Sequence, residues 1–111
     1  MSLPVEYSPS FEADLWLQLA WYAERSGVGL AERFATAVEL SAQEIVRTPG
    51  LGRRPFPKDP DLAEFQSFRV QSPFDSHRIF YRITAASLVL ERLVHGARDL
   101  PRRLKEPPGS D

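Results

Sequence analysis

The 111-residue chain contains no cysteine, so disulfides and thiolate metal sites are excluded and a reducing compartment suits it. No stretch approaches the roughly 18 consecutive apolar residues of a membrane span. The opening Met1-Ser2-Leu3-Pro4-Val5-Glu6 lacks the basic segment and apolar core of a signal peptide. A cytoplasmic protein with no membrane partner is therefore expected. Histidine is scarce: His77 and His95 are separated by 17 intervening residues, without a carboxylate cluster beside them. That spacing falls short of a metal-ligand set, so neither metal nor cofactor is expected. A Gly-rich phosphate loop and a nucleophile elbow are also missing, as is any internal repeat.

What remains is an ordinary globular composition, 42% hydrophobic and 26% charged, in a length that fits one domain over residues 1–111. The net charge of −1 conceals an asymmetry. Residues 1–46 hold two arginines against seven carboxylates, a net of −5, whereas residues 47–111 hold twelve bases against eight acids, a net of +4. An acidic first half joined to a basic second half points to an anionic partner for the latter, either nucleic acid or an acidic protein segment.

Leu3, Val5 and Tyr7 alternate with polar or proline positions, which predicts a short opening strand. Ser8-Pro9 supplies an N-cap and a proline at the first helical position. Phe11, Leu15, Leu19 and Tyr22 then recur at helical spacing, giving a first helix over about 9–25. Gly27 and Gly29 mark its end and the turn. A second helix is predicted over about 30–47, with Leu30, Phe34, Ala37, Val38 and Ile45 on one side and Thr48-Pro49-Gly50 as its stop. Residues 49–61, with four prolines and the pair Arg53-Arg54, read as a loop. Strands are predicted over about 63–71, 76–84 and 87–95. In the second, Ile79, Tyr81 and Ile83 alternate with Arg78, Phe80 and Arg82. In the third, Leu88-Val89-Leu90 is apolar on both faces. Ala85-Ala86 makes a poor two-residue turn, so a longer hairpin loop is expected. The tail from Leu100 is predicted extended, with a flexible end over 105–111. The order implies an α+β fold: an N-terminal strand, an αα-hairpin, then a three-stranded antiparallel sheet.

Several residues of this second half suit chemistry, and each has a plainer role beside it. His95 at the strand exit titrates near neutrality and fits a general acid or base; it equally fits a turn-ordering side chain. Arg98 and Asp99 fit either a functional cation with its orienting carboxylate or a local ion pair. Arg78 and Arg82, with Phe80 between them, make a basic patch around an aromatic, or else arginine stems laid over a core phenylalanine. His77, beside Asp75, is expected to be solvated, and Arg53-Arg54 to be a solvated pair. Trp16 and Trp21, five apart, should divide into one core and one exposed residue, the latter available for dimerisation or for docking a partner protein.

Two segments carry a resemblance to a known family: Arg78-Ile79-Phe80-Tyr81-Arg82 and His95-Gly96-Ala97-Arg98-Asp99-Leu100-Pro101. With Ser8-Pro9 before an acidic first helix and Pro49-Gly50-x-Gly52-Arg53 after the second, the chain resembles RelE/ParE-type toxins from about Val5 to Leu104, and more closely their ParE-type branch. The resemblance implies a toxin held in check by a cognate antitoxin and acting without catalysis, plausibly on DNA gyrase. Arg78, Arg82, Arg98, Arg102 and Arg103 would meet the target or antitoxin, and a homodimer is compatible. The alternative it implies is a ribosome-dependent mRNA endonuclease in which Arg69, Arg78 and Arg98 stabilise charge at the scissile phosphate and His95 moves the proton. Against that stand two departures: no lysine lies between Lys58 and Lys105, and no tyrosine follows Tyr81. A third reading is a degenerate toxin kept as a binding module or co-repressor.

Overall fold

A computed structural model describes residues 3–110. The elements run β1 (Val5–Tyr7), α1 (Pro9–Ser26), α2 (Val28–Arg47), a 3-10 turn (Pro49–Leu51), β2 (Gln66–Arg69), β3 (His77–Ile83), β4 (Leu88–His95) and α3 (Leu100–Lys105). The α+β order is as the sequence predicts, and β1 joins the sheet. Four strands lie in the order β1-β4-β3-β2, with β1 parallel to β4 and the other pairs antiparallel. The expected three-stranded sheet is thus one strand wider.

Ser8 ends β1 and starts α1 in one residue. Its backbone N–H donates to Leu90 O at 3.0 Å, its hydroxyl donates to Glu91 O at 2.8 Å, and the same Oγ accepts from Phe11 N at 3.0 Å. The two helices meet at a single residue, Gly27, whose φ of 89° is one that glycine tolerates without a Cβ clash. The second helix therefore starts at Val28, and Gly29 lies inside it, two residues earlier than periodicity alone indicates.

The helices cover one face of the sheet. Phe11, Phe34, Val38 and Ile45 pack on Ile79, Tyr81, Leu88, Leu90 and Leu93. A smaller core occupies the other face, where Leu62, Phe80, Val94, Leu100 and Leu104 cluster against Phe56 and Phe65. Both faces of β4 are consequently buried, which accounts for its unbroken apolar run. The second core also corrects the expectation of an extended tail from Leu100. Pro101 sits in the first turn of α3, where its missing N–H costs nothing, and Leu100 and Leu104 share one helix face over Phe80. Of the end expected to be flexible, 105–111, Asp111 lies outside the described residues, whereas Lys105 closes α3 with its Nζ 2.9 Å from Asp59 and Glu106 O accepts from Arg92.

Alternation breaks once. Phe80 pairs with Arg92 but Tyr81 pairs with Leu90, so Glu91 is an extra residue in β4. The bulge keeps Leu90 and Leu93 on the helix-bearing face although they are three apart. The hairpin loop is longer than two residues, as Ala85-Ala86 suggests: Thr84 Oγ1 accepts from Ala86 N at 3.2 Å and Ser87 N at 2.9 Å, replacing a Gly-type turn.

Arg92 and Asp14 join three elements. Arg92 Nε donates to Asp14 Oδ2 at 2.7 Å and Nη2 donates to Oδ1 at 3.1 Å, with both side chains about nine-tenths buried. Nη1 donates to the carbonyls of Glu106 at 2.7 Å and Arg103 at 3.1 Å, at the electronegative end of α3. Asp14 Oδ2 also accepts the backbone N–H of Leu93 at 2.9 Å.

The Pro-rich segment is pinned by Tyr81, whose buried hydroxyl donates to Pro49 O at 2.8 Å and accepts from Gly52 N at 2.9 Å. A Cβ on Gly52 would lie 2.5 Å from that oxygen, so glycine is required. Arg53 then pairs with Ser67 as an isolated bridge on the outer edge of β2.

Removing one partner of a buried ion pair strands the other. Arg92→Met is expected to lose about 3–5 kcal/mol in urea unfolding, with Asp14→Ala in the same chain recovering part of it. Gly52→Ala is expected to cost about 1–3 kcal/mol by overpacking on Tyr81, measured in the same way.

Candidate functional site: the cationic end of the sheet

The register decides which candidate residues meet. Arg69 on β2 lies directly opposite Arg78 on β3, and Arg78 opposite Val94 on β4. This row belongs to the face with Phe80 and Val94, away from the α1–α2 hairpin. Arg98 projects from the exposed Gly96–Asp99 turn at the same end of the sheet, where β4 finishes and β3 begins. Arg53, paired with Ser67, adds a cation along the β2 edge of that face. None of Arg69, Arg78, Arg98 or Arg53 has an ion pair among the described residues. Two like charges opposite one another in a ladder oppose folding, so an anion placed over this row would relieve a standing repulsion.

The other predicted cations are engaged. Arg82 pairs with Glu91 across the bulge. It does not form a patch with Arg78, because Phe80 between them is fully buried under Leu100 and Leu104. Arg103 donates to His95 O at 2.7 Å and Arg98 O at 3.2 Å, bracing the turn from α3. Arg102 lies between Asp99, at 3.7 Å, and Glu106. The expected ion pair of Asp99 therefore goes to Arg102, one helical turn on, rather than to Arg98. Asp99 itself adopts a left-handed φ of 51°, following Gly96 at 85°. These conformations, with Arg103, fix where Arg98 emerges.

His95 is on the opposite face. It pairs with His77, and the two rings are 4.6 Å apart on the side that carries the helices. His77 corrects the expectation of a solvated residue: it is 1% exposed and packed against Phe34 at 4.5 Å. Its Nε2 shares a hydrogen bond of 2.9 Å with the Tyr22 hydroxyl. Desolvation, and secondarily the neighbouring His95, lower its pKa to about 4. Burial likewise raises the Tyr22 hydroxyl. The sheet thus separates His95 from Arg69 and Arg78 of the nuclease alternative, while the fourth residue, Arg98, lies on the turn beyond β4.

A cleft of about 150 Å³ beside His95 is lined by Asp14, Gln18, Arg92, Arg103 and Glu106. It falls below the roughly 300 Å³ of a small-molecule site, and the Arg92–Asp14 pair that walls it is internally satisfied. Among the described residues no group of three or more His, Cys, Asp or Glu could hold a metal ion.

The family model for the ParE toxin of the parDE type II toxin–antitoxin system matches residues 5–100. The chain belongs to the ParE toxin family. The match spans β1 through the first residue of α3, including the Arg69–Arg78 row and the His95–Asp99 turn. Among solved structures, this ParE toxin is similar to a chain of the chromosomal ParDE toxin–antitoxin system from P. aeruginosa. The TM-score is 0.70 at 10% identity, covering 86% of this chain and 97% of that one. Among curated proteins no relative matches. In the toxin, no helix among the described residues is long and apolar enough to cross a membrane.

Two positions were not legible from sequence. Arg53 gave no sign of its bridge to Ser67, because a lone backbone pair leaves no periodicity. The burial of His77 was foreshadowed only by its place in strand alternation, in step with Ile79 and Tyr81.

Because His77 is held neutral in the fold, the unfolded chain takes up its proton first as pH falls. Its contribution is intact above the ordinary value of 6.5 and is lost as pH falls through that value toward about 4. The urea midpoint is expected to drop between pH 7 and pH 5, and to drop less in His77→Gln.

Proposed function

We propose that this toxin arrests growth by binding DNA gyrase in the cytoplasm without cutting RNA, and that a cognate antitoxin neutralises it. One observation carries the reading: the sheet separates His95 from Arg69 and Arg78. An endonuclease needs its proton-transfer group within hydrogen-bond reach of the phosphate its arginines hold, and here those groups lie on opposite faces. What the geometry supplies is a cationic row without a proton carrier, suited to holding an acidic surface. Arg69, Arg78 and Arg98 are the residues for that contact, whereas Arg82, Arg102 and Arg103 set the shape around it. The antitoxin follows from family membership, since ParE toxins belong to paired systems.

Expressed alone, the chain is expected to stop growth, and co-expression of its antitoxin to restore it. Purified toxin should inhibit gyrase supercoiling. Arg69→Glu with Arg78→Glu should weaken that inhibition tenfold or more, the loss of one charge-assisted contact or two. His95→Ala should leave it intact. Cleavage of ribosome-bound mRNA that disappears in His95→Ala, with supercoiling untouched, would overturn the proposal.

A further inference from the structure

The surface of α1 turned away from the sheet carries three exposed large apolar side chains, of which Leu17 faces Gly109 of the C-terminal segment. Trp16 is 73% exposed, Leu17 53% and Trp21 46%. The expectation that one tryptophan is core does not hold. Two adjacent rows run along this surface at a spacing of four: Glu12, Trp16, Ala20, Glu24, and Leu17, Trp21, Arg25, all exposed. Ala20, also exposed, lies between the two tryptophan positions on the helix surface. Arg25 lies over the Trp21 ring at 4.7 Å, and Trp21 meets Tyr22 edge-on at 5.3 Å, so that indole is already positioned. Tryptophans gathered in a rimmed apolar patch are the commonest anchors of protein interfaces.

Charge selects the occupant. Glu12 and Glu24 close the two ends of the row, roughly 18 Å apart along the helix, and neither has an ion pair among the described residues. A second copy laid antiparallel would seat Trp16 over Ala20, but it would also set Glu12 against Glu24 at both ends. Laid parallel, it would set each glutamate against itself. The glutamates meet like charge either way, and Arg25, the one cation in these rows, is already stacked on Trp21. The surrounding half of the chain carries seven carboxylates against two arginines. We propose that the outer face of α1 docks a cationic amphipathic helix of a partner protein. Its apolar residues would enter between Trp16 and Trp21, and its lysines or arginines would lie over Glu12 and Glu24. This surface lies on the hairpin side of the molecule, so it is independent of the cationic row.

Trp16 and Trp21 are the only tryptophans in the chain, so intrinsic emission reports on this face alone. The probes are two synthetic helical peptides of about 18 residues, with leucine at the i, i+3, i+4, i+7 positions and either lysine or glutamate elsewhere. The lysine peptide is expected to blue-shift the emission and the glutamate peptide to leave it unchanged. Trp16→Ala and Glu24→Lys should each weaken binding about tenfold or more, with unchanged far-UV circular dichroism. An equal response to both peptides, or unaltered affinity in both variants, would overturn the proposal. So would a blue shift that grows with protein concentration alone and vanishes in Trp16→Ala, which would identify a second copy as the occupant.

Discussion

The fold depends on one buried guanidinium. Arg92 carries its charge into the space between α1, β4 and α3, where an unpaired ion would cost several kcal/mol. Each of its three nitrogens is engaged: the Asp14 carboxylate accepts from Nε and Nη2, and the carbonyls ending α3 accept from Nη1. The arrangement is demanding because none of the three elements can shift without leaving polar groups dry. It also explains why a six-residue helix, too short to persist alone, is held at the end of the chain. Leucines bring α3 onto Phe80, and Arg92 fixes its far end.

From that clamp follows a molecule with two unlike sides. The α1–α2 hairpin buries one sheet face and presents an acidic, indole-bearing surface outward. The other sheet face is only partly covered, by α3 and the Leu62–Phe65 turn. Beyond their reach, its end is left to arginines that have no ion pair among the described residues. Phe80, under α3, is the divide that sets Arg78 apart from Arg82. The charge asymmetry between the chain halves thus becomes a spatial one.

Much of this was legible in the sequence. The stripe Phe11, Leu15, Leu19, Tyr22 specifies α1 and its buried side, and the alternation from His77 to Ile83 specifies β3. The bulge was not, since the step of three from Leu90 to Leu93 is a signal only once the register shows that both lie on one face. Other features depend on tertiary partners that local pattern does not encode. Pro101 signals a break in isolation and a helix start once Leu100 and Leu104 have a surface to meet. Trp16 and Trp21 flank the α1 stripe by about 100° on either side, so both turn outward; assigning one to the core gave too much weight to size. At the site, the identities of the arginines were legible. The face each occupies was not, because a single-residue bulge and a cross-strand register decide it.

Strand β1 stops at Tyr7, yet β4 runs on to His95, leaving backbone groups along that border for which no strand remains. The first two turns of α1 take over: Ser8 reaches Leu90 and Glu91, and Asp14 reaches the Leu93 amide. The backbone and hydroxyl of a helix cap, with one carboxylate of the helix, thus finish a ladder that a neighbouring strand began. A border completed in this way cannot template another chain, so fibre-like growth of the sheet is stopped along that length of β4. The residue that holds the buried arginine is therefore also a guard against aggregation.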